Sequence, residues 1–229
     1  MSKTLREERR EETLQTIKDL AWQQMNENGP ANLSLRAIAR QMRVSSAAIY
    51  RYFENRDDLL TELCKDAYQH QVAALQTLPP ADEGEDAIQR ILQLSRLYRQ
   101  WSHQNPEKFA LIYGTPVPGF HQSWPILSPY ASQVMDIFLE AFKQAYLHDQ
   151  PELPILPENL SAQLAGVIAN RQYDVSPAVL YLTLEGWTRL HGFISLELID
   201  QLCMFPDVDS FFEYQMHQLI RQAGFEIRS

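Results

Sequence analysis

This chain of 229 residues has little in it that could cross-link, bind a metal or pass through a bilayer. Its two cysteines, Cys64 and Cys203, stand far apart inside helical patterns and without metal-type spacing. They read as buried or half-buried free thiols in a reducing cytoplasm. The six histidines are isolated, and no H-E-x-x-H, E-x-x-H or C-x-x-C spacing occurs, which leaves metal chemistry without a ligand set. A glycine-rich phosphate loop and a G-x-S-x-G elbow are missing too, so an all-helical enzyme, the competing class, lacks the commonest chemical signatures. No apolar run of about 18 residues exists, so no transmembrane helix is expected. The first ten residues have no apolar core of the kind a secretory signal needs. No cofactor is implied. Neither a convincing strand nor an internal repeat is visible.

What remains is helical periodicity punctuated by proline. A first helix is expected over roughly Arg6 to Asn28, with Leu14, Ile17, Ala21 and Met25 as its apolar stripe. Its mixed charges at 6–12 are expected to fray. Gly29-Pro30 stops it, since glycine accepts the left-handed conformation and proline cannot extend the ladder.

Ser34 to Arg56 is the stretch around which the rest is organised. Leu35, Ile38, Ala39 and Met42 fall at i, i+3, i+4 and i+7, behind Ser34 as an N-cap. A tight turn follows at Met42-Arg43-Val44. Ser45 is the N-cap candidate of a second short helix, with Ile49 and Phe53 on its buried side and Ser46, Ala47, Tyr50 and Arg51 facing out. Two short helices about a tight turn are a helix-turn-helix. The net charge of -9 argues against nucleic acid until its distribution is considered. Residues 1–60 carry ten Lys/Arg and nine Asp/Glu, and the stretch 34–56 has five arginines (36, 40, 43, 51, 56) against Glu54 alone. A basic patch on an acidic protein is a local electrostatic footprint.

Asn55-Arg56-Asp57-Asp58 resembles a capping box opening a helix that runs to Pro79-Pro80. An acidic loop is expected at 81–86, then a helix over about Glu85 to Gln104 and a short one from Asn105-Pro106 through Tyr113. Gly114 to Ser128 reads as a long aromatic-bearing loop, with the next helix opening at Ser128-Pro129. A proline-spaced segment at 151–157 and a helix near 158–170 follow. From Ser176-Pro177, the residues Leu180, Leu184, Trp187, His191, Ile194 and Leu198 recur at heptad-like spacing, suited to a helix–helix seam. A last helix from about Asp207 carries Phe212, Met216 and Leu219. Two long apolar helices at the end suggest a second copy of the chain as partner.

Together, the helix ending in Gly29, Leu35-Arg-Ala-Ile-Ala39, Val44-Ser45, Ile49-Tyr50-Arg51-Tyr52-Phe53, Arg56 and Leu59-Leu60 resemble the TetR family of bacterial transcriptional regulators. The Trp187…His191-Gly192 motif is similar to the branch of that family marked by Trp-His-Gly. Three positions depart from the family pattern. Arg43 stands where glycine is common, which implies either about 1 kcal/mol of backbone strain or a turn of slightly different shape. Tyr52 replaces a usual histidine, and Arg56 a familiar lysine whose phosphate grip it can keep.

The resemblance implies an all-α fold. Its N-terminal three-helix DNA-binding head spans 1–58, with the motif at 34–53, and an α-helical ligand-binding and dimerisation domain spans 59–229. It also implies a cytoplasmic homodimer on a pseudo-palindromic double-stranded operator, with no membrane partner. Arg36, Tyr50, Tyr52 and Arg56 are expected on phosphates, with Ser34 and Ser45 at the helix starts beside them. Ser46, Ala47 and Arg51 are the base-reading candidates. A small apolar or aromatic effector would bind among Tyr98, Trp101, Phe109, Tyr113, Phe120, Trp124, Phe138 and Phe142, oriented by His103, His121 and Arg171, and release the operator. The alternative to an effector is an adaptor that docks a protein instead.

Overall fold

The computed structural model describes residues 4–79, 86–120 and 124–226. Among them are ten α-helices and no strand: α1 (Leu5–Asn28), α2 (Leu35–Gln41), α3 (Ser46–Ile49), α4 (Arg56–Leu75), α5 (Ala87–Gln104), α6 (Pro106–Tyr113), α7 (Trp124–Asp149), α8 (Glu158–Arg171), α9 (Pro177–Leu198) and α10 (Val208–Gln222). A 3-10 turn, Pro30–Asn32, joins α1 to α2. The expected all-helical class is what the chain adopts.

Two helix starts differ from expectation. Residues 6–12 are helical because Thr4 and Glu7 form a full capping box: the Thr4 N–H donates to the Glu7 carboxylate at 2.8 Å and the Glu7 N–H to the Thr4 hydroxyl at 3.3 Å. Two orphan donors are thereby satisfied and the carboxylate lies at the positive end of the helix dipole. Those hydrogen bonds, the Thr4 backbone bond foremost, hold the Glu7 carboxyl below its usual range. The second difference is α7, which begins at Trp124 and so takes in Pro129. Pro125 sits in the first turn, where its missing N–H is one of the orphans anyway. Pro129 removes one bond inside the helix, and Ser128-Pro129 has the look of a helix start without being one.

The chain sorts into two compact units, Met1–His70 with Asn105–Tyr130, and Gln71–Gln104 with Ala131–Ser229. The boundary expected at residue 58 therefore falls inside the first unit. Most of the expected acidic loop, residues 81–85, lies outside the described residues. Asp86 is described, and its carboxylate accepts the Ile88 N–H at 2.9 Å, capping α5.

In the first unit, Ile17 and Ala21 of α1, Ile38 and Ala39 of α2, and Ile49, Phe53, Leu59, Leu60 and Leu63 are buried. Each large apolar side chain contributes about 1.5–3 kcal/mol by leaving water. The Lys18 ammonium pairs with Asp66 at 2.8 Å, tying α1 to α4. The helix α6 joins this unit with the Lys108 ammonium 5.6 Å from the Trp22 ring centre and Tyr113 edge-on to Tyr68.

The second unit buries both long terminal helices in its own core. Leu180 and Ile194 of α9 and Phe212, Met216 and Leu219 of α10 are all interior. These five are thus not seam residues free for a second chain, a correction to the expected interface. Heptad spacing marks a helix facing a helix, and here the facing helices belong to the same chain. Leu184 packs against the cluster of Leu139, Leu164, Val179 and Leu180. At Gly186, an added Cβ would come 3.2 Å from the Phe142 ring, so glycine allows α9 to approach α7 closely. Outside the core, Arg96 forks onto Glu213 with two bonds of 2.7 Å, joining α5 to α10.

Candidate nucleic-acid interface

The start of α2 is held from below. Gln24, buried on α1, accepts the Ser34 N–H at 3.1 Å, and the Ser34 hydroxyl accepts the Ala37 N–H at 3.3 Å. Ser34 therefore caps α2 while its own backbone is anchored to α1. Gln24 is a support that sequence reasoning missed; a polar residue on an apolar helix face was the available signal. From this start, α2 presents Arg36 and Arg40 to solvent while Leu35, Ile38 and Ala39 face inward.

The turn then passes through Arg43 at φ 56°, the left-handed region. The fold takes the strained turn without glycine, and the arginine side chain is exposed there. Ser45 occupies the N-cap position of α3 but makes no side-chain capping bond, unlike Ser34. Its exposed hydroxyl is left available for other partners. Ala47 is exposed on α3 and Tyr50 and Arg51 are exposed just beyond it, with Ser46 half-buried beside them and Ile49 fully buried behind. Among the described residues, Arg36, Arg40, Arg43 and Arg51 form no salt bridge, so their charge is uncompensated locally. Tyr52 is half-buried, with the Arg10 guanidinium 5.6 Å from its ring centre. Arg10 is a further basic residue that the expectation of a frayed arm had hidden.

Arg56 does not behave as expected. One terminal nitrogen donates to the Pro30 carbonyl at 3.0 Å, the other to the Pro118 carbonyl at 3.4 Å, and its Nε is buried without a partner. A guanidinium turned onto two backbone carbonyls is not presented to a phosphate. The cause is local: Asn55 caps α4 by accepting the Asp58 N–H at 2.9 Å, which fixes the first turn with Arg56 facing the 3-10 turn.

The aromatic residues expected to line one pocket divide between the two units. Phe109, Tyr113, Phe120 and Trp124 belong to the first, and Tyr98, Trp101, His103, Phe138, Phe142 and Arg171 to the second. Trp124 is 57% exposed and Arg171 is exposed, so neither lines an interior site. His121 lies outside the described residues. Within the second unit, Tyr98 is fully buried and its hydroxyl bonds the His191 Nδ1 at 2.9 Å, while Trp187 stacks on that imidazole at 4.8 Å. Burial holds His191 below the usual histidine range, which keeps the ring neutral. His191 and Trp187 are half-buried and engage each other along α9, and His191 also engages Tyr98.

A cleft of about 370 Å³ in the same unit is lined mainly by charged and polar side chains, Arg96, Arg99, Gln100, His103, Glu197 and Asp209, with Phe212 beside them. Arg99 pairs with Glu197 and, at 2.7 Å, with Asp209, and His103 reaches Glu197 at 2.9 Å. Burial works to raise the Glu197 carboxyl, but the bonds and charges of Arg99 and His103 outweigh it and hold it below the usual carboxylate range.

The comparisons with known proteins match both the helix-turn-helix region and the helical region that follows it. Residues 17–63 match the family described as "Bacterial regulatory proteins, tetR family", and residues 91–219 match the "Tetracyclin repressor-like, C-terminal domain". The chain belongs to the TetR family. The HTH-type transcriptional regulator Rv1816 of Mycobacterium tuberculosis is 30% identical over 198 residues, covering 86% of this chain and 85% of its own. The same identity and coverage hold for the HTH-type transcriptional regulator Mb1846 of Mycobacterium bovis. Among solved structures, a protein described as regulatory, SCO4313, is 32% identical with a TM-score of 0.76, covering 95% of this chain and all of that one. A protein of unknown function from Rhodococcus sp. RHA1 shares the fold at TM-score 0.70 and 21% identity, over 92% of this chain and 95% of its own. This TetR-family chain is a DNA-binding helix-turn-helix transcriptional regulator. Among the described residues, no helix is long and apolar enough to cross a membrane.

Proposed function

We propose that this regulator is a cytoplasmic homodimeric repressor, released from a pseudo-palindromic operator by a small apolar or aromatic molecule. The observation that carries the DNA half is the turn from Ser45 to Tyr52, where uncompensated Arg51 and small, exposed Ala47 stand over a fully buried Ile49. Ser46, Ala47 and Arg51 read bases, and Ser34, Arg36, Ser45, Tyr50 and Tyr52 position the head on phosphates. Selection of bound duplexes from sheared genomic DNA by the full chain is expected to return a two-fold sequence whose half-sites lie about 10 bp or a multiple apart. Enrichment of no common sequence would defeat this reading.

The effector half rests on Tyr98, His191 and Trp187, an aromatic and neutral-imidazole cluster in the second unit that suits a small apolar guest with one polar contact. It is also the geometry we take for the Trp-His-Gly branch. The dimer reading rests on Gly192. Nothing lies within 4 Å of a Cβ built there, so no packing inside the chain asks for a glycine that costs a helix about 1 kcal/mol relative to alanine. With exposed Thr188 and Leu196 on α9 and Ile199 at its C-cap it forms an outward stripe at i, i+4, i+8 and i+11 spacing. Leu196→Glu is expected to move the chain from dimer to monomer in sedimentation velocity while leaving its helical circular dichroism unchanged. A variant that stays dimeric at the same loading would remove this stripe from the interface.

A further inference from the structure

Arg56 is the expected DNA contact whose two terminal nitrogens the fold already engages on backbone carbonyls. Its two terminal nitrogens reach carbonyls from segments far apart in sequence, Pro30 at 3.0 Å and Pro118 at 3.4 Å, both within the first unit. The Pro30 carbonyl also accepts the Leu33 N–H at 3.4 Å, closing the 3-10 turn. Leu33 is buried, and the next residue, Ser34, is the N-cap of α2. The other carbonyl lies between Val117 and Phe120, both buried, in the segment that follows α6; the Phe120 N–H bonds the Val117 carbonyl at 3.0 Å. The guanidinium thus spans the turn that sets α2 and the turn that follows α6. Its Nε, buried and unpartnered, is the cost of placing both forks, and Asp57 at 3.9 Å adds only a weak exposed pair.

We infer that Arg56 is a latch, a positioning residue that holds segment 114–120 against the turn 30–32. It supports operator binding by fixing where α2 begins and not by neutralising a phosphate. This rests on the DNA-binding reading above but adds a different role for the residue. A planar fork offers donors on separate nitrogens in a rigid geometry, whereas an ammonium presents its three donors from one nitrogen on a flexible stem. Segment 114–120 becomes, through Arg56, a place from which the head can be tightened or loosened.

Two variants of the full chain separate the latch from a phosphate contact. In Arg56→Lys the charge stays and the fork is lost; in Arg56→Gln both are lost. Hydrogen exchange of the amides at 29–34 and 115–120 is expected to speed up at least about five-fold in both variants, with the rest of α4 unchanged, since an opened local contact exposes only its own amides. On a duplex selected by the wild-type chain, the slope of log K against log salt is expected to stay at the wild-type value in Arg56→Gln, although affinity falls. A phosphate contact would lower that slope by about 0.9 in Arg56→Gln. Such a drop, or exchange at both segments left at wild-type rates, overturns the latch. If wild type binds no duplex, the DNA-binding reading fails on its own, and the exchange arm still decides the latch.

Discussion

Phe212→Ala is expected to cost the chain about 3–5 kcal/mol of stability, the range for deleting a fully buried aromatic ring. The ring is 1% exposed and stands between two sets of partners. Phe193 meets it edge-on at 5.4 Å, and the Arg99 guanidinium lies 4.6 Å from its centre. Removing it opens a cavity on one side and withdraws the aromatic face beneath Arg99 on the other, where the arginine is held by Glu197 and Asp209. Urea unfolding at several protein concentrations is the measurement. Because the ring is interior to one chain, the difference between variant and wild type should be the same at every concentration. A difference that grows on dilution would return Phe212 to an interface between copies.

That experiment bears on what the sequence could and could not reveal. The helices were legible because their ends carry chemistry: Gly29-Pro30, Ser34, Asn105-Pro106 and Ser176-Pro177 each act where a cap or breaker should. At Arg43 the sequence leaves a strained turn and a reshaped one both open, and φ 56° is the strained one. Partners were not legible. Periodicity says that Leu180, Ile194, Phe212 and Met216 face another helix, and it is silent on whose helix that is. In the structure the exposed Thr188, Gly192 and Leu196 mark the outer face of α9, and a Cβ at Gly192 would meet nothing within 4 Å.

Side-chain direction was lost in the same way at the candidate site. Arg51 and Arg56 are both arginines within one basic stretch, and composition cannot distinguish them. The difference arises from what surrounds each: Arg56 begins a helix whose first turn is capped by Asn55 and faces two open carbonyls. Thr4, three residues before Glu7, was a readable capping box, but the density of charge that follows it disguised the helix. The aromatic residues misled for a simpler reason. Phe138, Phe142 and Trp101 have the spacing of a pocket wall and of a core alike, and their burial fits both.

Arg51→Ala is expected to weaken operator binding by about 1–3 kcal/mol, roughly 5- to 150-fold in Kd, without lowering the melting temperature. The side chain is exposed just beyond α3, makes no salt bridge among the described residues and packs on nothing the core depends on, since Ile49 and Phe53 supply the buried side. Its loss should therefore be felt only when DNA is present. An arginine can meet a guanine through two parallel bonds to O6 and N7, so the penalty belongs to one base pair. Titration at fixed salt on the selected duplex and on a set with each half-site pair changed in turn gives the discriminating result. At the contacted pair, wild type loses affinity and Arg51→Ala loses no more; elsewhere the two respond in parallel. Arg36→Ala is the contrast, because a phosphate contact weakens every duplex alike and lowers the salt slope by about 0.9. If Arg51→Ala behaves as Arg36→Ala does, arginine 51 holds the backbone, and the bases are read by Ser46 and Ala47 alone.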